Sequence, residues 1–336
     1  LVPFTDAGRS RARLASRVVV PSLVEIQMEP FKSILVDVDA TVPAQPALER
    51  AVRLARKCGA RLTITDVLTV PPYARQYLPP DVEEEMVSRR RQQLARLAHT
   101  TTGIQTESKL LIGRPATVLI QEVLRSDHDL LMRSHARDAA TREPKPFGAV
   151  DMELLRKCPC PIFLVRHGAI VQRPHIVGAV NASTEEAAEH ALNIRIVELT
   201  RLIARLEEGT AMLLQAWAPF AELMIRSHSS GEEFAAYVES VRQRTSADLV
   251  RLTQSVGGRL AGVQALSRRG QPEDVIPEFV VAHGVDLVVM GTVARAGVAG
   301  LLIGNTAERV LRKLPCSVLA VKPEGFVCPV RLDASQ

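Results

Sequence analysis

The chain is poor in rings: aromatic residues make up 4% of its 336 positions, with a single Trp and three Tyr. Its cores must therefore be built from Val, Leu, Ile and Ala, the residues that fill parallel sheets buried on both faces. A basic stripe interleaved with aromatics, which nucleic acid would need, is missing, and no nucleic-acid partner is expected. Long apolar runs are missing too. The longest, around 287–303, is broken by Arg295 and rich in glycine, so no membrane span and no membrane partner are expected. The five cysteines (Cys58, Cys158, Cys160, Cys316 and Cys328) are an odd set without the spacing of a disulfide framework, which fits a reduced, cytoplasmic setting. Cys158-Pro159-Cys160 opens onto the apolar run Ile162-Phe163-Leu164-Val165 and is read as structural thiol packed like a small hydrophobe, rather than as half of a metal or redox site. The chain also lacks Gly-x4-Gly-Lys-Ser/Thr, His-Glu-x2-His and Gly-x-Ser-x-Gly, and no His is marked by context as the partner of a Cys or Ser. No residue takes a catalytic or metal-binding assignment. His135 stands alone in a loop and is read as without a role.

What is present starts with length, enough for two domains. The charge balance, 42 basic against 37 acidic residues, is too mild to point to any partner. Residues 1–27 carry Arg9, Arg11, Arg13 and Arg17 ahead of a short Val18-Val19-Val20-Pro21 patch, a poor match to a secretory signal. Met28 reads as the native start, which makes 1–30 an N-terminal extension, non-native or disordered.

An internal repeat carries the fold. Leu155-Arg156-Lys157-Cys158-Pro159-Cys160 aligns with Leu311-Arg312-Lys313-Leu314-Pro315-Cys316, Gly113-Arg114-Pro115 with Gly270-Gln271-Pro272, and Asp129-Leu130-Leu131 with Asp286-Leu287-Val288. Each half alternates strand and helix, the pattern of a parallel sheet with covering helices. The first half predicts strands near 32–38, 62–69, 105–111, 129–133 and 161–165, with helices near 45–58, 81–99, 115–125 and 149–157. The second predicts strands near 175–180, 210–216, 259–266, 286–290 and 317–321. The expected fold class is α/β: two tandem five-stranded parallel doubly wound domains, Rossmann-like, over 31–166 and 174–323, with a linker around 167–173 and a C-terminal tail over 324–336. Gly-x-Pro after each third strand suits a turn into a helix, because Pro at the first helical position loses no hydrogen bond. The charged run Glu83 to Arg91 reads as a solvated helix face with Glu85 and Arg89 spaced to pair.

The stretch Met290-Gly291-Thr292 through Gly304-Asn305-Thr306-Ala307-Glu308 follows a buried strand and leads into a helix near Asn305. Glycines there let a ligand approach the backbone, and free amides at the helix start can hold an anion. The stretch also sits at the carboxyl end of the fourth strand beside the first, where a doubly wound sheet opens a crevice. This stretch resembles the universal stress proteins, whose ATP-binding members carry Gly-x2-Gly-x9-Gly-Ser/Thr in that loop. Gly291 fits the first glycine, Ala294 replaces the second, Gly304 fits the third, and Asn305 stands for the Ser/Thr with Thr306 next to it. Ile303-Gly304-Asn305-Thr306-Ala307-Glu308 and the closing Lys322-Pro323 resemble tandem members of the family, and the resemblance runs from Phe31 almost to the end.

The resemblance implies a cytoplasmic, non-catalytic stress-response protein. It implies ATP as cofactor, in the second half only, at Asn181, Ala216, Gly291, Thr292, Ala294, Gly304, Asn305 and Thr306. Asn181 takes the place of the family's first-strand Asp and helps to place the ribose; Ala216 is the small residue at the end of the second strand. Another small ligand is the alternative occupant. The first half keeps Asp39 but has Ser134 opposite Gly291 and lacks glycines before Gly148, so it is read as unable to hold ATP in the family's manner. Family members pair through their last strands, and Pro161–Val165 with Ser317–Val321 would make an internal pseudo-dimer, free to pair again as a homodimer. The competing function is a nucleotide-independent module for protein interaction or an apolar ligand; weak ATP hydrolysis ranks third.

Overall fold

The computed structural model describes residues 15–18, 30–135, 147–166, 171–256, 263–292 and 303–332. A short strand β1 (Ala15–Val18) precedes the first half, which runs β2 (Ser33–Asp37), α1 (Pro46–Cys58), β3 (Arg61–Leu68), α2 (Pro72–Arg75), α3 (Pro80–His99), β4 (Thr106–Ile112), α4 (Pro115–Ser126), β5 (Leu130–His135), α5 (Ala149–Lys157) and β6 (Ile162–Arg166). The second half repeats it as β7 (His175–Ala179), α6 (Ala187–Leu206), β8 (Thr210–Trp217), α7 (Glu222–His228), α8 (Gly231–Ser255), β9 (Gln264–Arg269), α9 (Pro272–His283), β10 (Leu287–Gly291), α10 (Asn305–Lys313) and β11 (Ser317–Val321).

All strands join one sheet in the order β1-β9-β8-β7-β10-β11-β6-β5-β2-β3-β4. Within each half the five strands are parallel and ordered third, second, first, fourth, fifth, so the chain reverses direction between the first and fourth strands, β2/β5 and β7/β10. The halves meet through their last strands: β6 and β11 pair antiparallel, Phe163 opposite Leu319. β1, inside the segment set aside on sequence grounds, pairs antiparallel with β9.

The strands are apolar because both faces are covered. Leu54, Leu94, Leu199 and Leu249 pack one face through α1, α3, α6 and α8, while Leu119, Leu154, Phe279 and Leu311 pack the other through α4, α5, α9 and α10. Each of these two cores runs through both halves without a break. The seam carries reciprocal contacts. Arg166, ending β6, donates to the carbonyls of Leu314 and Cys316 past the end of α10, and Lys322, following β11, donates to those of Leu155 and Arg156 at the end of α5. Cations at helix carbonyl ends satisfy acceptors the helix leaves open. Between α1 and α6, Arg50 Nε lies 2.7 Å from Glu207 Oε1, and its guanidinium stacks 4.5 Å from the Phe163 ring. The tail returns to the first half, where Gln121 Nε2 donates to the Arg331 carbonyl at 3.1 Å.

The two Gly-x-Pro turns act as the sequence predicts. Gly113 and Gly270 take φ of 145° and 138°, and α4 and α9 begin at Pro115 and Pro272. Three local expectations are corrected. The third strand of the second half covers Gln264–Arg269 rather than 259–266, because the strand ends on the polar Ser267-Arg268-Arg269 rather than on the apolar stretch before it. Short helices α2 and α7, not expected, follow the second strand of each half. Glu85 and Arg89 form no ion pair among the described residues; Arg90, one position on, turns inward to Asp39 and Asp66. The expected linker lies partly outside the described residues.

Candidate functional site: a cleft at the carboxyl ends of the second-half strands

A cavity of about 340 Å3 opens between β7, β8, β10 and the first turns of α6 and α10, within the range of about 300–1,000 Å3 usual for small-molecule sites. Asn181, Ala216, Gly291, Thr292, Gly304, Asn305 and Thr306 all line it; Ala294 lies outside the described residues. These positions are far apart in sequence and are brought together by the reversal between β7 and β10.

The floor is apolar: Ala179, Leu192, Ile196, Ile276, Met290 and Val310. At one end α10 begins without a side-chain cap; Gly304 precedes it, and Ala307 occupies the third position of its first turn. The Gly304 amide donates to the Thr292 carbonyl at 2.9 Å, and the next amide with an acceptor is that of Glu308, so the amides of Asn305, Thr306 and Ala307 have no acceptor among the described residues. Thr292 itself is fully buried, and its hydroxyl has no hydrogen-bond partner. An unpaired buried hydroxyl costs about 1–3 kcal/mol unless a ligand or water satisfies it. Beside it, a Cβ on Gly291 would come within 2.7 Å of Leu192 Cδ2, so a larger residue here would have to push the tip of the Leu192 side chain aside. A phosphate-bearing group fits this donor set on both counts.

At the opposite end, Asn193 pins the backbone of Asn181 by accepting from its amide at 3.0 Å and donating to its carbonyl at 2.8 Å. The Asn181 side chain donates to Glu189 Oε1 at 2.9 Å, and Thr184 Oγ1 donates to Glu189 Oε2 at 2.6 Å. Glu189 belongs to no sequence motif; its one signal is an acidic residue in the first turn of a helix. It is the single ionisable side chain among the described lining residues.

In the first half the equivalent crevice is wired with charge. Asp37 pairs with Arg133 in register as Ala179 does with Met290, and Asp151 holds the place in α5 that Ala307 holds in α10. Arg133 bonds Asp37 and, at 3.0 Å, Asp151; the second Asp151 oxygen accepts from the Gly148 amide at 3.1 Å and so closes the helix start from within. Burial pushes the Asp37 carboxyl up to about 7, against the pull of Arg133 and with the neighbouring Asp66 and Asp151 adding to the rise. Burial likewise raises Asp66, whereas for Asp39 the hydrogen bonds from Thr41 and Arg90 outweigh burial and hold it below the usual carboxylate range. Ser134, opposite Gly291, accepts from the Ala47 amide at 3.1 Å and caps α1.

A second cluster, Ser33, His128 and Glu122, has the composition of a hydrolytic triad. Ser33 Oγ lies 2.7 Å from His128 Nδ1, and Glu122 Oε1 lies 3.8 Å from His128 Nε2. All three are buried at the amino ends of the strands, and Arg61 donates to Ser33 Oγ at 2.8 Å, so no substrate reaches the hydroxyl. Among the described residues all five cysteines are free, with Cys158, Cys160 and Cys316 buried, and burial raises the Cys316 thiol to about 12. Such thiols are inert. No helix among the described residues is long and apolar enough to cross a membrane.

Comparison with known proteins agrees with this layout. The chain is 30% identical over 321 residues to Universal stress protein E of Photorhabdus laumondii, spanning 90% of this chain and 99% of that protein. It is also 30% identical over 319 residues to Universal stress protein E of Escherichia coli K12, spanning 91% and 98%. Its fold matches that of a protein of unknown function from Pseudomonas aeruginosa PAO1 with a TM-score of 0.65 at 21% identity, covering 88% of this chain and 94% of that one. A universal stress protein from Archaeoglobus fulgidus gives 0.60 at 16% identity, covering 87% and 96%. The description of the universal stress protein family fits residues 30–166 and again 173–322. With one match on each five-stranded unit and Universal stress protein E as a relative along nearly its whole length, the chain belongs to the universal stress protein family as a tandem, stress-response member.

Proposed function

We propose that this protein acts in the stress response as a binding module without a catalytic centre, holding an adenine nucleotide such as ATP in the second-half cleft. The observation that carries the reading is the donor set at the start of α10: three amides without an acceptor among the described residues and the orphaned Thr292 hydroxyl, around a cavity lined by Gly291 and Gly304. Phosphates would sit against Gly304, Asn305 and Thr306, and the nucleoside over Ala179 and Ala216, where small side chains leave room for a base. A non-catalytic role is supported by the lining, because among the described residues one carboxylate stands there without a paired acid or base to make a proton relay. In the first half Asp151 occupies the anion end, which supports a structural role there.

The test is calorimetry on protein stripped of co-purified ligand, comparing the intact chain with Gly304→Asp. Gly304 has φ of −59°, a backbone conformation open to any residue, so the variant adds charge without backbone strain. ATP binding by the intact chain and its loss in the variant are expected. Absence of heat with the intact chain would leave the protein-interaction reading, which the exposed Phe220 and Leu223 on and before α7, at 83% and 85%, favour.

A further inference from the structure

The second-half cleft is donor-rich at one end and acceptor-rich at the other, with an apolar floor between. The acceptor end is Glu189. Each of its oxygens takes one hydrogen bond from the protein, from Asn181 Nδ2 at 2.9 Å and from Thr184 Oγ1 at 2.6 Å, and each carboxylate oxygen keeps a second lone pair. No cation pairs with Glu189 among the described residues. The carboxylate is held in place yet left unneutralised in the wall of a ligand-sized cavity.

The first half shows the alternative arrangement. There the register position of Asn181 is held by Asp39, and that carboxylate is consumed: Thr41 donates to it from its amide at 2.9 Å, and Arg90 bonds it at 3.2 Å. Were Asn181 an aspartate, its carboxylate would face Glu189 across a gap that an amide hydrogen bond now spans at 2.9 Å. Two carboxylates so placed would repel each other. Asn181 instead donates to Glu189 and holds it in place. The acid of this cleft stands on the first turn of α6, eight positions along the chain from Asn181, whose amide aims it.

We infer that Glu189 reads the hydroxyl groups of the ligand, accepting from the ribose diol of a nucleotide whose phosphates lie at α10, with Asn181 as its positioning residue. The inference rests on the nucleotide reading proposed above. It makes the site selective for ribonucleotides over deoxy analogues, a property that neither the helix start nor the apolar floor can supply, since neither distinguishes the sugars.

The experiment is a calorimetric titration of ATP, 2′-deoxy-ATP and 3′-deoxy-ATP into ligand-stripped protein. It uses the intact chain, Glu189→Gln, Asn181→Asp, and the double variant Asn181→Asp/Glu189→Gln. The intact chain should bind ATP about tenfold or more tightly than the weaker deoxy analogue, the scale of one hydrogen bond to a charged acceptor. Glu189→Gln should lose that ratio while binding the deoxy analogue as before. Asn181→Asp should weaken ATP, and the double variant should recover the ratio, because one carboxylate and one amide again face the sugar. Glu189→Asp, which retracts the carboxylate by one methylene, serves if the Gln variant fails to fold, and should lower the ratio. An intact chain that binds ATP and both deoxy analogues alike, or a ratio unchanged in Glu189→Gln, overturns the role of Glu189 and leaves the nucleotide reading standing. No binding of any nucleotide by the intact chain overturns both.

Discussion

Two register positions, one on the first strand and one on the fourth, hold Asp37 and Arg133 in one half of this molecule and Ala179 and Met290 in the other. The third member of each set, in the first turn of the last helix, is Asp151 or Ala307. The backbone is the same in both halves: the same strand order, the same Gly-x-Pro turns, the same helix start after the fourth strand. What differs is whether the crevice between first and fourth strands is completed by the protein's own side chains. In the first half Asp151 satisfies the amide of Gly148 and neutralises Arg133, doing for that helix start what an external anion would do. In the second half no described residue does, and a buried hydroxyl is left over. A tandem protein can thus keep one copy of a fold as scaffold by wiring its cleft with charge, while the other copy stays open.

Exchanging residues between the two clefts tests this most severely. Asp151→Ala leaves Arg133, only 26% exposed, with Asp37 alone and strips the cap from α5, so a loss of about 3 kcal/mol in a urea unfolding experiment is expected. Ala307→Asp places the same carboxylate at the open helix start. It should leave stability within about 1 kcal/mol, since an acid in a first helical turn is tolerated. It should weaken ATP by about a hundredfold or more, the scale of an uncompensated like charge. If both variants behave alike in stability and in ATP binding, the two clefts are not the complementary pair described.

The proton balance sharpens the contrast at the next level. Burial carries Asp37 from 3.8 in the unfolded chain to about 7 in the fold, so between those values the folded chain holds a proton that the unfolded chain has lost. The stability from this group is full below the unfolded value and disappears as the pH rises through about 7. Relative to Asp37→Asn, the intact chain should lose on the order of 3 kcal/mol between about pH 4.5 and 7.5. Arg133, Asp66 and Asp151 face the group and set the exact midpoint, and Ala179 gives the second half no counterpart. Parallel slopes for the two proteins would mean that Asp37 stays ionised throughout.

Much of this is legible in the sequence itself, and the exceptions share a cause. The repeat of Gly113-Arg114-Pro115 at Gly270-Gln271-Pro272 gives the period, and the apolar strands give the sheet. The third strand of the second half was misplaced because β9 ends in Ser267-Arg268-Arg269, polar residues that apolar patterning passes over. The offset from Gly270, read against Gly113, would have placed it. The open cleft was legible because its residues form a motif in one stretch plus two strand ends. The closed cleft was not. Asp37, Arg133 and Asp151 are unremarkable one by one, and only the sheet register brings them together; an acid and an arginine inside otherwise apolar strands were the available signal. Glu189 was missed for the same reason, since it contributes from a helix that no phosphate motif includes.

The smallest expected effect separates a ligand site from a structural turn most cleanly, because its two readouts move in opposite directions. Thr292 is fully buried and its hydroxyl is unpaired. Thr292→Val keeps the shape and removes the orphan, so ligand-free protein should gain up to about 1 kcal/mol, as it does when a buried unsatisfied group is deleted. If that hydroxyl is satisfied by a bound phosphate, the same change should weaken ATP about fivefold to tenfold, the net worth of one hydrogen bond. The corresponding position in the first half is His135, at the end of β5, and ATP binding should not respond to its replacement. A Thr292→Val protein that is both more stable and equally tight for ATP would mean that the hydroxyl serves neither fold nor ligand, and would leave the amides of α10 as the whole of the anion site.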